Sequence, residues 1–294
     1  MQKITPFLWY DKEAVEAANL YTSIFENSRI KKTSTLNNTP SGKVEIVSIE
    51  LYGQEFTLMS AGPYFKFNPS VSFLVACKAK EEVEKLWKEL SDGGKPLMEL
   101  GAYPFSENYG WLEDRYGLSW QIMFIGDRKI TQNIIPTLMF VGNVCGKAEE
   151  AIEFYISVFK NSRVGDILRY GKNQAPDKEG TVVHASFTLE QQEFAAMDSA
   201  QPHNFVFNEA ISFVVNCETQ KEIDYYWENL SANPTVEQCG WLKDKYGLSW
   251  QIVPIVLQEM LEDKDPQKIS RVTEVFLKMK KFDIAALQRA YKGE

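Results

Sequence analysis

The sequence predicts an α+β protein made of two tandem copies of one domain, residues 1–129 and 134–256, followed by a C-terminal helical extension, 257–294. Three observations carry this reading. The phrase GWLEDRYGLSWQI (Gly110–Ile122) returns as GWLKDKYGLSWQI (Gly240–Ile252), with eleven of thirteen residues identical. Earlier segments repeat in the same order: Ile4–Ile30 is echoed by Ile134–Val164, and QEFTLM (Gln54–Met59) by QEFAAM (Gln192–Met197). A repeat this close means one unit written twice, so any functional reading must explain a duplicated site. Within each copy a strand–helix–strands pattern runs twice, which gives four such units in the chain.

The elements of the first copy follow from periodicity and turn chemistry. ITPFLWY reads as a strand. Lys12–Phe25 reads as a helix, with Val15, Ala18, Leu20, Tyr21 and Ile24 forming an apolar stripe, and Asn27-Ser28 stops it. Strands follow at Lys31–Thr35, Val44–Leu51 and Phe56–Ser60, divided by the turns Pro40-Ser41-Gly42 and Gly53-Gln54. The cycle restarts with a strand at Val71–Cys77, a helix at Lys80–Leu90, a stop at Gly93-Gly94, and final strands ending in Leu118–Ile125. Between the second helix and the repeated phrase the first copy carries GGKPLMELGAYPFSENYG where the second has NPTVEQCG. This predicts a longer loop in copy one, either neutral drift or a lid over one cleft, with drift the simpler account. In the extension, Asp265-Pro266 opens a helix over Gln267–Lys280 and Asp283 caps another over Ile284–Tyr291. These helices are expected to pack across the copies or at a subunit interface.

Composition narrows the function classes. With 32 Lys+Arg against 40 Asp+Glu the net charge is −8, so no basic face for nucleic acid is expected. No apolar run approaches the ~18 residues that span a bilayer, and MQKITPFLWYDKE lacks the order of a signal peptide. Cys77, Cys145, Cys217 and Cys239 form no CxxC pair. Cys77 and Cys217 fall at matching strand positions and read as buried thiols, which predicts a reducing, cytoplasmic setting.

The phrases TPFLWYDKEAVEAANLYTSIF, FNEAISFVVNCETQKEIDYYWENL and CGWLKDKYGLSWQIVP resemble the PhnB-like branch of the vicinal oxygen chelate superfamily, which includes glyoxalase I, bleomycin-resistance proteins and extradiol dioxygenases. Members of the branch often carry the label 3-demethylubiquinone-9 3-methyltransferase. The resemblance covers nearly the whole chain, twice. It implies tandem glyoxalase-like domains, each of paired βαβββ modules forming a cupped mixed sheet around a small-molecule site. Modules in this superfamily often pair between chains, and here the duplication could complete that pairing within one chain, as a monomer or a homodimer.

The resemblance also implies where a metal would sit. The family's positions for His, Glu or Gln fall at Phe7 and Thr137 on the first strands, Met59 and Met197 at the ends of the first modules, Ser72 and Ser212 on the next strands, and Gln121 and Gln251 on the last. Phenylalanine and thioether donors do not hold a hard divalent ion, and one Gln per cleft falls short of a stable ligand set. The expectation is a cleft without metal or other cofactor. Alternation on the last strand puts Ser119, Gln121 and Met123 on one face and Trp120 and Ile122 on the other. Grouped by copy, Phe7, Trp9, Met59, Ser72 and Gln121 line one cleft, and Thr137, Met139, Met197, Ser212 and Gln251 the other, with Trp111 and Trp241 at the rims. Trp87, Trp120, Trp227 and Trp250 read as core.

Two functions from different classes fit this lining. One is a metal-free protein that binds an unidentified small apolar or aromatic molecule. The other is an enzyme acting in the second copy, either a lyase or isomerase with His184 and Asp198 as a general-base pair, or the methyltransferase of the family label. His184 falls at a strand position where PhnB-like proteins often have His; its counterpart in copy one is Ile46, and a half-exposed structural histidine is the simpler reading. His203 reads as solvated. No strand–GxGxxG–helix segment exists for S-adenosylmethionine on a doubly wound sheet. A third possibility is that both clefts are filled and function lies on the surface.

Overall fold

The computed structural model describes residues 2–39 and 41–294. Met1, where the first copy begins, and Pro40, the first residue of the expected Pro40–Gly42 turn, lie outside the described residues. The first copy forms β1 (Ile4–Tyr10), α1 (Ala14–Ile24), β2 (Arg29–Thr39), β3 (Gly42–Leu51) and β4 (Gln54–Ser60), then β5 (Val71–Cys77), α2 (Lys80–Ser91), β6 (Lys95–Tyr103), β7 (Ser106–Glu113) and β8 (Ser119–Phe124). The second forms β9 (Ile134–Val141), α3 (Ala148–Val158), β10 (Arg163–Arg169), β11 (Val182–Leu189), β12 (Gln192–Ser199), β13 (Ile211–Cys217), α4 (Gln220–Leu230), β14 (Trp241–Lys243) and β15 (Ser249–Pro254). The extension holds α5 (Ile255–Leu261), α6 (Pro266–Phe276) and α7 (Ile284–Lys292). Asp265 and Asp283 cap α6 and α7 by accepting from the backbone N–H groups of Gln267 and Ala286.

The sheets divide the chain differently from the sequence copies. Sheet A runs β14-β15-β13-β1-β4-β3-β2, and sheet B runs β10-β11-β12-β9-β5-β8-β7-β6. Each therefore joins the first module of one copy to the second module of the other. The joints are antiparallel: Phe7 of β1 lies opposite Ser212 of β13, and Thr137 of β9 opposite Ser72 of β5. β5 and β13 are buried along their whole length, and β1 nearly so. Strands covered on both faces read as continuous apolar runs, and these central strands do.

Two reciprocal amide clamps tie the sheets together. Gln54 accepts from the Ile134 N–H (2.8 Å) and donates to its carbonyl (2.8 Å). Gln192 does the same for Ile4, at 2.9 and 2.8 Å. The repeated QEF segment therefore marks the contact between copies.

Within a copy the two modules pack back to back through their helix-covered faces, and the repeated phrase makes this joint. Asp114 is 4% exposed. Its Oδ2 accepts from the hydroxyl of Tyr21 on α1 (2.6 Å) and from Trp120 Nε1 (3.0 Å), and its Oδ1 accepts from the backbone N–H groups of Tyr116 and Leu118. Asp244 repeats every partner with Tyr155, Trp250, Tyr246 and Leu248. Burial raises both carboxyl groups above the ordinary range, opposed by these donors.

One expectation is corrected. The extra segment of copy one is not a loop: it builds β6 and pairs with β7, Lys95 opposite Glu113 and Tyr103 opposite Ser106. The extension touches both copies: Glu262 pairs with Lys32 on β2 (2.7 Å), and its side chains line a cavity together with those of β1, β3 and β4. It packs at the short-stranded end of sheet A, where Cys239 N and Gly240 N donate to the carbonyls of Met279 and Lys280. Cys77 and Cys217 are buried free thiols. Among the described residues, no helix is long and apolar enough to cross a membrane.

Candidate binding cavity

A cavity of about 790 Å³ opens on the concave face of sheet A. Its floor is β1, β4, β3 and β15, which contribute Phe7, Trp9, Met59, Ile46 and Gln251. Its wall is the extension, through Leu257, Leu261, Phe276 and Phe282. A volume of this size suits a small organic molecule, for which pockets run about 300–1,000 Å³. Trp241 stands edge-on to Phe7 (5.6 Å between centroids) and to Trp9 (6.2 Å). Trp9 donates its indole N–H to Gly62 O at 2.8 Å.

The cross-copy sheets regroup the residues predicted from sequence. Phe7, Trp9, Met59, Trp241 and Gln251 line the sheet A cavity, and Ser212 sits beside them, accepting from Gln251 Nε2 at 2.9 Å. Ser72, Trp111, Gln121, Thr137, Met139 and Met197 belong to sheet B. The grouping by copy is thus corrected: Gln121 lies on the rungs of β9, and Gln251 on those of β1. The cause is the β1–β13 and β5–β9 joints, which place each last strand beside the other copy's first strand.

The two halves differ in how their polar groups are satisfied. In sheet B, Gln121 Nε2 donates to Ser72 Oγ (2.7 Å), and its Oε1 accepts from the Tyr109 hydroxyl (2.8 Å). Trp111 Nε1 donates to Ser119 Oγ at 2.8 Å. In sheet A the residue matching Tyr109 is Cys239. Gln251 keeps its Ser212 bond, but among the described residues its Oε1 has no donor and Trp241 Nε1 no acceptor. Ser249 Oγ, the match of Ser119, is fully buried without a partner among the described residues. Sequence reasoning missed this contrast, although the Tyr109/Cys239 difference just before the repeated phrase was visible.

The cavity holds little free charge. Of its acidic residues, Glu55 is ion-paired with Lys31 and Glu209 with Lys243 (2.8 Å). Burial pushes the Cys239 thiol up to about 11, and the thiol is directed at the Phe276 and Leu277 carbonyls.

The family's metal positions converge as Phe7, Met59, Ser212 and Gln251 in sheet A, and as Thr137, Met197, Ser72 and Gln121 in sheet B. Neither set fits a divalent ion: each offers one carboxamide and a hydroxyl or two, but no imidazole or carboxylate. Among the described residues no cluster of three His, Cys, Asp or Glu exists.

The His184–Asp198 pair is also corrected. The β11–β12 register sets Ala185 opposite Ala196, which carries His184 alongside Met197 on the concave face. Asp198, one residue on, points to the helix side. There it accepts from the backbone N–H groups of Gly146 and Ala148 ahead of and in α3, and of Val182 on β11. Ser60 does this for Ala14 in copy one. Burial depresses the His184 imidazole below its ordinary value, so it is neutral at pH 7. His203 is half-buried and bonded to Ser199 Oγ at 2.8 Å.

Comparison with known proteins places this architecture. A PhnB protein from Bacillus cereus is 38% identical over 42% of this chain and all of its own, with a TM-score of 0.40. Glyoxalase I from Zea mays is 11% identical, covers 89% of this chain and 98% of its own, and aligns with a TM-score of 0.57, a likeness of fold. No protein of curated function matches the chain. The family model described as 3-demethylubiquinone-9 3-methyltransferase matches twice, over residues 2–123 and 132–253. The chain therefore belongs to that family, as a tandem PhnB-like member with the vicinal oxygen chelate fold.

Proposed function

We propose that the protein binds one small, largely apolar molecule per chain in the sheet A cavity, without a metal ion. The observation that carries this is a cavity of about 790 Å³, walled by aromatic and aliphatic side chains, in which a carboxamide oxygen and an indole N–H have no protein partner among the described residues. A few polar groups free to bond in a largely apolar concavity are the usual make-up of a small-molecule site. The lining favours stacking and burial over charge, and the donor set argues against a metal on chemical grounds. An enzymatic reading rests on the family description and on His184 alone, since Asp198 is committed to capping α3 and the cavity's carboxylates are paired.

The test is a titration with N-phenyl-1-naphthylamine, a neutral apolar dye that brightens on leaving water. One equivalent is expected to bind per chain, with quenching of tryptophan emission and equal affinity after dialysis against Zn²⁺. Met59→Trp, which fills the floor, should abolish the signal. Dye binding that is absent, or unaltered by Met59→Trp, would rule the cavity out.

A further inference from the structure

We infer that the sheet A cavity takes a neutral ring bearing a hydroxyl group, seated on Gln251 as the Tyr109 phenol is seated on Gln121 in the other half. This rests on the cavity reading above and names the chemistry of its occupant. Each half places a Gln on its last strand, fixed through Nε2 to a serine on the adjacent strand. Each sets a Trp directly across the ladder from that Gln: Trp111 opposite Gln121, and Trp241 opposite Gln251. In sheet B the chain fills its own site. The Tyr109 hydroxyl donates to Gln121 Oε1 at 2.8 Å, the Tyr109 ring packs edge-on against Tyr103 (5.5 Å) and Phe105 (4.9 Å), and Trp111 turns to Ser119.

In sheet A the residue at that position is Cys239, which gives Gln251 no such partner. Cys239 has left the strand geometry (φ 51°), and its thiol turns to the Phe276 and Leu277 carbonyls. Gln251 is 6% exposed, yet its Oε1 accepts nothing among the described residues. Trp241 packs on Phe7 and Trp9, and among the described residues its N–H has no acceptor and the buried Ser249 Oγ no partner. A hydroxyl donates to Gln251 Oε1 as the Tyr109 hydroxyl does to Gln121, and it keeps lone pairs that an indole N–H can use. Phe276 and Phe282, from the extension, take the part of Tyr103 and Phe105 around the ring. Charge is disfavoured, because an anion would face the Gln251 oxygen and would be desolvated without a cation to pair with.

The experiment displaces bound N-phenyl-1-naphthylamine with 2-naphthol, naphthalene and 2-methoxynaphthalene, on the wild-type protein and on Gln251→Leu. Expected is a preference of roughly 10-fold for 2-naphthol over the other two, the worth of one well-made buried hydrogen bond, and collapse of that preference in Gln251→Leu. The methoxy compound keeps the ring and an acceptor but loses the donor, so equal or tighter binding of it to the wild-type protein overturns the inference while leaving the cavity reading intact. The wild-type comparison needs no variant to fold. Failure of the dye and of all three rings to bind removes both readings.

Discussion

Asp114 and Asp244 show how much of the repeated phrase is structural. Each carboxylate takes four donors, two from backbone and two from an aromatic pair. An amide cannot do this. In Asp114→Asn the Nδ2 hydrogens would face the Trp120 N–H, which has no lone pair to offer. Relief of carboxylate burial offsets part of the loss, but an unpaired buried N–H costs about 1–3 kcal/mol. A net loss of that size is expected, read as a lower urea midpoint at unchanged slope; an unshifted midpoint would show the network contributes nothing. At this scale the sequence was half legible. The alternation that put Gln121 and Gln251 on one face and Trp120 and Trp250 on the other is what the structure has. The partners of Asp114 were not readable, because Tyr21 lies 93 residues away and nothing local announces it. The Asp198 pairing failed because a strand turns successive residues to opposite faces, so one step from Met197 moved the carboxylate out of the cleft.

The elements most altered between the copies are those next to the cavity. Copy one closes its sheet with the β6–β7 hairpin. Copy two has only the three residues of β14 there, and α5 to α7 cover the gap. The seam is narrow at Gly240. Its φ is 82°, and a Cβ there would come within 2.5 Å of Phe282 Cε2 and 3.0 Å of Ile252 O. Gly247 has a similar φ, 89°, with open space around it. Gly247→Ala is therefore expected to cost only backbone strain, on the order of 1–3 kcal/mol. Gly240→Ala should cost more and free the extension to protease at neutral pH. Equal melting temperatures for the two variants would show that the seam does not hold the tail. The helices of the tail were readable from their caps, Asp265 and Asp283, but their docking site was not, since periodicity gives a helix its apolar face without naming what meets it. The hairpin was missed because GGKPLMELGAYPF carries turn residues at both ends and a strand too weakly patterned to stand out between them.

On the scale of the whole molecule, each sheet needs both copies. A lone first copy would leave β1 and β5, both buried in the full chain, with a bare edge each. Exposed apolar edges of this kind pair with another chain. Residues 1–131 expressed alone are expected to form a homodimer, β1 of one chain against β5 of the next, and light scattering would give twice the chain mass. A well-folded monomer would show that the pairing seen here is not needed. The double repeat made two glyoxalase-like domains legible. Which module joins which was read wrongly, as a pairing within each copy, because the two copies are so alike that β1 reads as compatible with β5 and with β13.

Fusion into a single polypeptide had a chemical consequence. Two identical subunits carry identical pockets, and any substitution strikes both. Once joined head to tail, the halves can drift apart. Here one half carries a tyrosine bonded to its own glutamine, and the other carries a cysteine at that position and a helical wall. The two glutamines of one chain thus stand in unlike surroundings, which two identical subunits could not give them.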